Sequence, residues 1–234
     1  MEIKDKVVIV TGASDGIGKA TAVYLAGQGA KVALAARGSE KLKELERTLP
    51  GSYAMTVDMT KPEDVFNMVG DTLKKFGRVD ILINNAGRGM YAPVANADIG
   101  KMKEIAELNL FAPIRAMQAV IPIMRKQGGG MIINVSSGTS RMTIPSLAPY
   151  ASLKYALNNI SLTARKELEE DHIVVSIILP RITATDFGRN AVGGRPDWVT
   201  RPREGRPTPM IDPPETVAEK IGELIRSEEA EIVL

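Results

Sequence analysis

Short apolar runs alternate along the chain with longer amphipathic stretches. Seven runs of four to seven residues, rich in Val, Ile, Leu and Ala, predict strands at 7–10, 31–36, 52–57, 80–84, 131–136, 173–179 and 231–234. Several are apolar throughout, which is typical of parallel strands covered on both faces. The segments between them have a helical spacing of apolar residues and predict helices at 16–28, 39–49, 62–76, 98–126, 150–170 and 214–227.

This alternation of strands and helices predicts an α/β protein. We expect a single doubly wound, Rossmann-type domain over residues 1–234, with a mostly parallel seven-stranded sheet and helices on both faces. One segment departs from the pattern, because residues 187–214 are rich in Gly, Pro and Arg and have no clear period. Such a segment is usually a functional loop or a disordered one. We interpret it as a substrate loop, and a flexible solvated segment is an equally open alternative.

Composition and charge narrow the range of functions. The net charge is +2, which does not favour nucleic acid or an anionic membrane as a partner. There is no cysteine and one histidine, His172, at a predicted helix-to-strand turn that we interpret as surface. We therefore expect no disulfide and no metal site. No apolar run approaches the ~18 residues of a membrane span, and the charged start MEIKDK leads directly into a strand, so a cytoplasmic protein is expected.

A glycine-rich turn follows the first predicted strand. The sequence TGASDGIG, residues 11–18, connects that strand to the first helix. Glycine tolerates positive φ and lets backbone approach a ligand closely, and a helix N-terminus favours a pyrophosphate. The spacing G-x-x-x-G-x-G differs from the commoner G-x-G-x-x-G. Taken alone, the pattern is also compatible with a tight turn that binds nothing.

A phenol and an ammonium lie one helical turn apart in YASLK, residues 150–154. On a helix Tyr150 and Lys154 share a face. A nearby cation favours the phenolate and lowers the pKa of the phenol from its usual value of about 10. The pair is thus a candidate for proton transfer near neutral pH, although such a spacing also arises by chance.

Four motifs in the right order resemble the short-chain dehydrogenase/reductase family. They are TGASDGIG, NNAG at 84–87, NVSS at 134–137 and YASLK at 150–154. The resemblance covers essentially the whole chain. It implies an oxidoreductase that reversibly transfers hydride between a nicotinamide and a carbonyl or secondary alcohol substrate. It also implies a homodimer or homotetramer, paired through the long helices predicted at 98–126 and 150–170.

The resemblance implies four catalytic residues. Tyr150 would be the acid and base. Lys154, together with the positive charge of oxidised nicotinamide, would lower the phenol pKa, and it would also hydrogen-bond the nicotinamide ribose. Ser137, thirteen residues before Tyr150, would hold the substrate oxygen, and only this spacing selects it over Ser136. Asn109 would hold a water in a proton relay to Lys154, the alternative being a polar residue merely tolerated within a helix.

Cofactor contacts are implied at a larger set of positions. Where NAD sites normally carry an acidic residue, the second strand ends in Ala36-Arg37, and a guanidinium suits a 2′-phosphate. Asp15 argues mildly the other way, and we favour NADP(H) over NAD(H). Asp58 is either an adenine contact or a helix N-cap, and Arg181 replaces the glycine usual after Pro180. The implied positions are Gly12, Ser14, Asp15, Gly16, Ile17, Gly18, Arg37, Asp58, Met59, Asn85, Ala86, Gly87, Tyr150, Lys154, Pro180, Thr183 and Thr185.

Two other functions stay open at this point. An epimerase or dehydratase with the same Tyr and Lys would usually have a shorter glycine spacing and a larger C-terminal domain. A dinucleotide-binding regulator or scaffold without turnover is the other, and the intact Tyr, Lys and Ser argue against it. The substrate cannot be read from the sequence, although the arginines of segment 187–214 weakly suggest an acidic one.

Overall fold

The computed structural model describes residues 1–194 and 210–234. Seven strands form one sheet in the order β3-β2-β1-β4-β5-β6-β9, and every neighbouring pair is parallel. The predicted fold class is therefore confirmed. The strands, including a separate pair formed by β7 and β8, are β1 (Val7–Thr11), β2 (Lys31–Ala36), β3 (Tyr53–Thr56), β4 (Ile81–Asn84), β5 (Gly130–Val135), β6 (Ile173–Leu179), β7 (Ile182–Thr183), β8 (Ile211–Asp212) and β9 (Glu231–Val233).

Helices connect successive strands of the main sheet. They are α1 (Gly16–Gly27), α2 (Ser39–Thr48), α3 (Pro62–Phe76), α4 (Ile99–Ala106), α5 (Ala112–Gln127), α6 (Ala148–Glu167) and α7 (Pro214–Ser227). Short 3₁₀ turns lie at Val94–Asn96 and Gly138–Arg141. Within residues 1–194 and 210–234, no helix combines the length and the apolar character that crossing a bilayer requires.

The single helix predicted over 98–126 is wrong in one respect. A π-helical turn, Glu107–Phe111, separates α4 from α5. Asn109 lies in this turn and is fully buried, and both ends of its amide hydrogen-bond the backbone of Arg88. A wider turn lets one polar side chain point inward without breaking the helix, and such turns are frequent at functional sites.

Apolar side chains fill the space on both faces of the sheet. On one face α1, α2 and α7 contribute Leu25, Leu42 and Ile221 to a buried cluster with the sheet. On the other face α3, α5 and α6 contribute to a second cluster that includes Val65 and Met117. Because helices cover both faces of the sheet, the groups that could contact a ligand lie at the ends of the strands.

The strand order reverses between β1 and β4, and this reversal opens a crevice at the carboxyl ends of the strands. Ligands bind at this point in open α/β sheets. The segments that follow β1, β4, β5 and β6 all reach it. The residues after β7 also join this edge, because Val192 pairs with the turn after β4 through Tyr91 N to Val192 O and Val192 N to Gly89 O, each 2.9 Å. Of the predicted substrate loop 187–214, residues 195–209 lie outside the described residues.

Candidate active site

The glycine-rich turn after β1 is packed too closely for side chains. Gly12 has φ +68°, and a Cβ added at Gly18 would lie 2.2 Å from Gly12 O and 2.4 Å from Asn85 Nδ2. Asn85 Nδ2 donates to Thr11 O at 2.9 Å, and Asn85 N donates to Thr11 Oγ1 at 3.0 Å. The turn is therefore fastened to the end of β4, and it presents bare backbone to the crevice.

Asp15 caps the first turn of α1 and binds a cation from α2. Its carboxylate accepts from Gly16 N at 2.8 Å and from Lys41 Nζ at 3.0 Å. The hydrogen bond from Lys41 lowers the pKa of Asp15. A Cβ at Gly16 would approach Thr185 Cγ2 to 2.9 Å, so the start of α1 faces the segment after β7 across a narrow gap. The lysine offsets the acidic charge that argued against a phosphate-bearing cofactor.

Arg37 and Asp58 lie at the ends of β2 and β3. Arg37 is exposed, and Asp58 accepts from Thr60 N at 3.0 Å and from Thr60 Oγ1 at 2.7 Å. The bonds from Thr60, and to a smaller extent the charge of Arg37, lower the pKa of Asp58. The N-cap of α3 is Lys61, so the interpretation of Asp58 as a helix N-cap is wrong. Met59 is buried in the core.

The two serines after β5 have different surroundings. Ser137 Oγ hydrogen-bonds Thr139 Oγ1 at 2.8 Å, and it lies close enough to the Tyr150 hydroxyl to oppose the rise in the pKa of that phenol. Ser136 is buried, and its hydroxyl donates to Lys154 O at 3.4 Å, a backbone contact. The hydroxyl that meets the phenol is thus the one selected by the thirteen-residue spacing.

Lys154 and Tyr150 lie together on α6 and are almost completely enclosed. Lys154 Nζ donates to Val135 O at 2.8 Å and lies 5.9 Å from the centre of the Tyr150 ring. Burial lowers the pKa of Lys154 to about 8. Burial also raises the pKa of Tyr150, against the opposing effect of the hydrogen bond from Ser137, and Tyr91 adds to the rise.

Without the cofactor, Lys154 does not bring the phenol pKa below its usual value, and a lowered pKa in the complex with oxidised nicotinamide stays a prediction. Desolvation disfavours the phenolate more strongly than the surrounding groups favour it. The ammonium is directed at the carbonyl of Val135, and its own charge is disfavoured by the same burial. Tyr150 is accordingly held in its protonated form.

Asn109 fixes the turn after β4. Its Oδ1 accepts from Arg88 N at 2.9 Å, and its Nδ2 donates to Arg88 O at 2.7 Å. A Cβ at Gly87 would lie 2.9 Å from Asn109 Oδ1. What the structure places here is a backbone support, and a relay water at Asn109 stays a prediction. Asn84 also has a supporting position, because its Nδ2 donates to Asn134 Oδ1 at 2.8 Å inside the core.

A cavity of about 850 Å³ occupies the crevice. Of the implied cofactor and catalytic positions, the structure gathers around it Gly12, Asp15, Gly16, Ile17, Asn85, Ala86, Gly87, Ser137, Tyr150, Lys154, Pro180, Thr183 and Thr185. Outside its lining are Ser14, Gly18, Arg37, Asp58, Met59 and Asn109. Among the described residues no group of three or more acidic or histidine side chains is placed to hold a metal ion.

Much of the cavity lining is apolar and comes from residues outside any motif. The Phe187 ring is inclined at 61° to the Tyr150 ring, with the ring centres 5.6 Å apart. The other apolar lining residues include Met90, Tyr91, Met142, Ile144, Pro145, Leu147 and Met210. Apart from Phe187, these residues could not be predicted from the sequence, because they lie on loops without a motif or a period. Of the arginines in segment 187–214, Arg189 pairs with Asp186 at 2.9 Å, and Arg195, Arg201, Arg203 and Arg206, like Trp198, lie outside the described residues.

The shape of the site fits a dinucleotide. A Cβ at Gly12, Gly16, Gly18 or Gly87 would collide with neighbouring atoms, so the wall that the cofactor would follow is bare backbone. The first turn of α1 offers backbone N–H groups to a pyrophosphate. Fold and cavity together indicate a dinucleotide-binding protein, with the side chain of Tyr150 in the lining of its site.

Comparison with known proteins agrees with this description. A family model described as short chain dehydrogenase matches residues 6–195. The chain is 34% identical over 228 residues to a 3alpha-hydroxysteroid dehydrogenase from Mediterraneibacter gnavus, which corresponds to 93% of this chain and 88% of that protein. The chain therefore belongs to the short-chain dehydrogenase/reductase family, and it is an enzyme of that type.

Two solved structures resemble the chain over its whole length. A 7α-hydroxysteroid dehydrogenase complexed with NADH and 7-oxo glycochenodeoxycholic acid has a TM-score of 0.90 and 25% identity, covering 100% of this chain and 94% of that one. An L-sorbose reductase from Gluconobacter frateurii complexed with NADPH and L-sorbose has a TM-score of 0.87 and 29% identity, covering 100% and 97%. The bound cofactor is a nicotinamide dinucleotide in both.

Proposed function

We propose that this protein is an NADP(H)-dependent oxidoreductase that reversibly reduces a carbonyl compound to a secondary alcohol. The observation that carries the proposal is the pair of hydroxyls, on Tyr150 and Ser137, that lie close together in the wall of the cavity. Lys154 lies one helical turn from Tyr150 and lines the same cavity. Two donors converging beside a dinucleotide site are suited to one substrate oxygen.

The chemistry divides between the cofactor and the side chains. A bound reduced nicotinamide supplies a hydride to the carbonyl carbon. Tyr150 donates its phenolic proton to the carbonyl oxygen, so that C=O becomes CH–OH, and Ser137 donates a hydrogen bond to the same oxygen. In the reverse direction Tyr150 takes the proton back. Because burial keeps the Tyr150 pKa high, the protonated form that reduction requires is the resting form at neutral pH.

Lys154 supplies the positive charge that the reaction needs after proton transfer. With a pKa of about 8 it is mainly protonated at pH 7. Loss of the phenolic proton leaves a buried phenolate on Tyr150, and the nearby ammonium offsets that negative charge. A hydrogen bond from Lys154 to the nicotinamide ribose would add to this role. Asn109 acts indirectly in this scheme, by holding the backbone that follows β4.

Replacement of the phenol tests the proposal. Tyr150→Phe keeps the ring, and we expect carbonyl reduction to fall by about 10²–10⁴-fold, the usual contribution of a general acid. NADPH affinity, measured by calorimetry, should change little. Tyr155→Phe is a matched control, because Tyr155 lies on the same helix and is 67% exposed. Activity of Tyr150→Phe within a factor of a few of wild type would refute the mechanism.

The preference for NADP(H) rests on charges at the far end of the site. Arg37 is exposed after β2, where the neutral Ala36 takes the place of a ribose-binding carboxylate. Lys41 pairs with Asp15 and so brings a second cation to the start of α1. A 2′-phosphate would meet Arg37 there without repulsion from an unpaired acid.

For the substrate we propose a bulky, largely apolar ketone or secondary alcohol. The support is the set of methionine, aromatic and aliphatic side chains in the cavity lining, including Met90, Met142 and Phe187. Steroid substrates named for the similar proteins are consistent with this lining. A panel of steroid, bile acid, sugar and acyl thioester ketones, followed by NADPH oxidation, tests it. NADPH binding without turnover on any of them would favour the regulator or scaffold instead.

We further propose that the protein is a homodimer or homotetramer. Exposed apolar side chains lie along the first of the helices expected to pair, among them Ile99 and Phe111. Light scattering after size exclusion measures the assembly, and a monomer at micromolar concentration would refute this part.

A further inference from the structure

Arg181 is placed where the related sequences usually have glycine, and the structure shows what it binds. Its Nε donates to Asp212 Oδ2 at 3.1 Å, and its Nη2 donates to Asp212 Oδ1 at 3.3 Å. The two residues therefore form a two-pronged ion pair across 31 positions of sequence. Such a pair fixes orientation as well as distance.

Asp212 depends on this partner. Its side chain is 9% exposed, whereas that of Arg181 is 43% exposed. A carboxylate that is nearly buried is unfavourable unless it is paired and hydrogen-bonded. Asp212 is also anchored, because it ends β8 immediately before Pro213 and α7, whose inner face is buried in the core. The ion pair thus ties Arg181 to a fixed point.

After β6 the chain leaves the main sheet, and it returns at α7. The two ends of this excursion, residues 180–185 and 211–213, lie side by side and are called the neck here, and the ion pair lies within them. Within this neck β7 pairs with β8, and Ala184 N donates to Asp212 O at 2.9 Å. On the other side Pro180 O accepts from Gly138 N at 2.9 Å, one residue after the Ser137 hydroxyl that meets Tyr150. The neck therefore connects α7 to the segment after β5 that carries Ser137.

Two threonines on this neck face the cavity. Thr183 Oγ1 donates to Arg181 O at 3.2 Å, and Thr185 N donates to Thr183 O at 2.8 Å. Both threonines line the cavity, as does Arg181 itself. Any shift of the backbone at Arg181 is consequently passed to both hydroxyl-bearing residues.

We propose that Arg181 is a positioning residue, which through its ion pair with Asp212 sets Thr183 and Thr185 against the nicotinamide half of the cofactor. The inference rests on the proposed nicotinamide site. In this proposal the ion pair affects binding of the nicotinamide end of the dinucleotide. Binding of the adenosine end, at Arg37 and Lys41, does not depend on the ion pair.

The proposal predicts unequal effects on ligands with and without the nicotinamide. An ion pair that only stabilises the fold would affect both ligands equally. Asp212→Asn keeps the shape of the side chain and removes its charge. We expect the affinity for NADPH to fall about tenfold, while the affinity for 2′-phospho-ADP-ribose, which lacks the nicotinamide, stays within about twofold. Both are measured by calorimetry, with NADH and ADP-ribose as the equivalent pair if the enzyme prefers NADH. General loosening of the fold would lower both affinities together.

Two further variants complete the experiment. The exchange R181D/D212R restores opposite charges and should recover a large part of the NADPH affinity. Asp171→Asn is the control, because Asp171 also forms an ion pair with an arginine, Arg125 at 2.7 Å, but neither residue lines the cavity, so the ratio of the two affinities should stay unchanged. Equal losses for both ligands in Asp212→Asn, or an unchanged NADPH affinity, would overturn the inference. Because these are binding measurements, the result stands apart from failure of the proposed carbonyl reduction, which is a loss of turnover.

Discussion

Replacement of Lys154 by methionine should make the cofactor-free protein more stable while it destroys activity. The folded state lowers the Lys154 pKa from 10.5 to about 8, because the ammonium is enclosed. At about 1.36 kcal/mol per pKa unit, keeping the cation in the folded protein at pH 7 costs about 3 kcal/mol. Methionine lacks the hydrogen bond to Val135 O, a loss of about 1 kcal/mol. The net gain for Lys154→Met is about 2 kcal/mol at pH 7.

The stability gained by Lys154→Met should become smaller as the pH rises. Because the folded-state pKa lies below the unfolded value, the unfolded chain binds more protons between about pH 8 and pH 10.5, and wild-type stability rises with pH across this window. The cost of the cation shrinks to about 1 kcal/mol at pH 10, where Lys154→Met and wild type should be nearly equal. Tyr150 is present in both proteins, so its own titration cancels in the difference.

Urea unfolding at fixed protein concentration, without cofactor, at pH 7, 8, 9 and 10 measures this difference. Lys126→Met serves as the control, because Lys126 is exposed at the end of α5 and its ammonium stays in water in both states. We expect no pH trend for that control. A constant difference between Lys154→Met and wild type over the four pH values would show that the buried ammonium is not the cause. So would a variant less stable than wild type at pH 7.

Three other outcomes are expected. Gly18→Ala should lose about 2 kcal/mol or more of stability and much of the NADPH affinity, because its Cβ would lie 2.2 Å from a backbone oxygen. Gly27→Ala is the control and should fold normally, because a Cβ there would have no atom within 4 Å. A soluble Gly18→Ala variant that binds NADPH would contradict the close packing. Lys41→Met leaves Asp15 unpaired, so it should weaken NADPH binding about fivefold at low salt and weaken NADH binding less. Equal effects on the two cofactors in binding titrations would count against a 2′-phosphate of NADPH near Lys41. Carbonyl reduction under saturating NADPH should decline as pH rises through about 8, where Lys154 loses its proton, and a pH–rate profile that is flat to pH 10 would disagree with this assignment.

Strands and glycine turns are the parts of this fold that local sequence predicts well. The run KVALAA predicts residues 31–36, and β2 is Lys31–Ala36; the helix predicted at 214–227 is α7, Pro214–Ser227. Both follow from local rules, since an apolar run marks a strand buried on both faces and a proline marks a first helical turn. Gly12 and Gly18 are predictable for a similar reason, because a backbone with no room for Cβ accepts one residue type.

Features that depend on contacts between distant segments could not be predicted. The π-helical turn at Glu107–Phe111 forms where Asn109 meets the backbone of Arg88, 21 positions away. Arg181 is recognisable in the sequence only as a departure from a family pattern, and its partner Asp212 is 31 positions away. No periodicity or composition identifies such a partner, since the pairing arises from the way the neck returns to α7.

The electrostatics of Tyr150 and Lys154 show why burial must be known before a pKa is argued. From sequence, a cation one turn away should favour the phenolate. In the folded protein the same enclosure disfavours the phenolate on Tyr150 and the ammonium on Lys154, so it raises one pKa and lowers the other. Moving the phenolic proton to a substrate creates a phenolate beside an ammonium, and each charge then relieves the desolvation of the other. The lysine therefore acts after the proton has left the phenol. The alkaline limit of reduction should follow Lys154, whose proton is lost first.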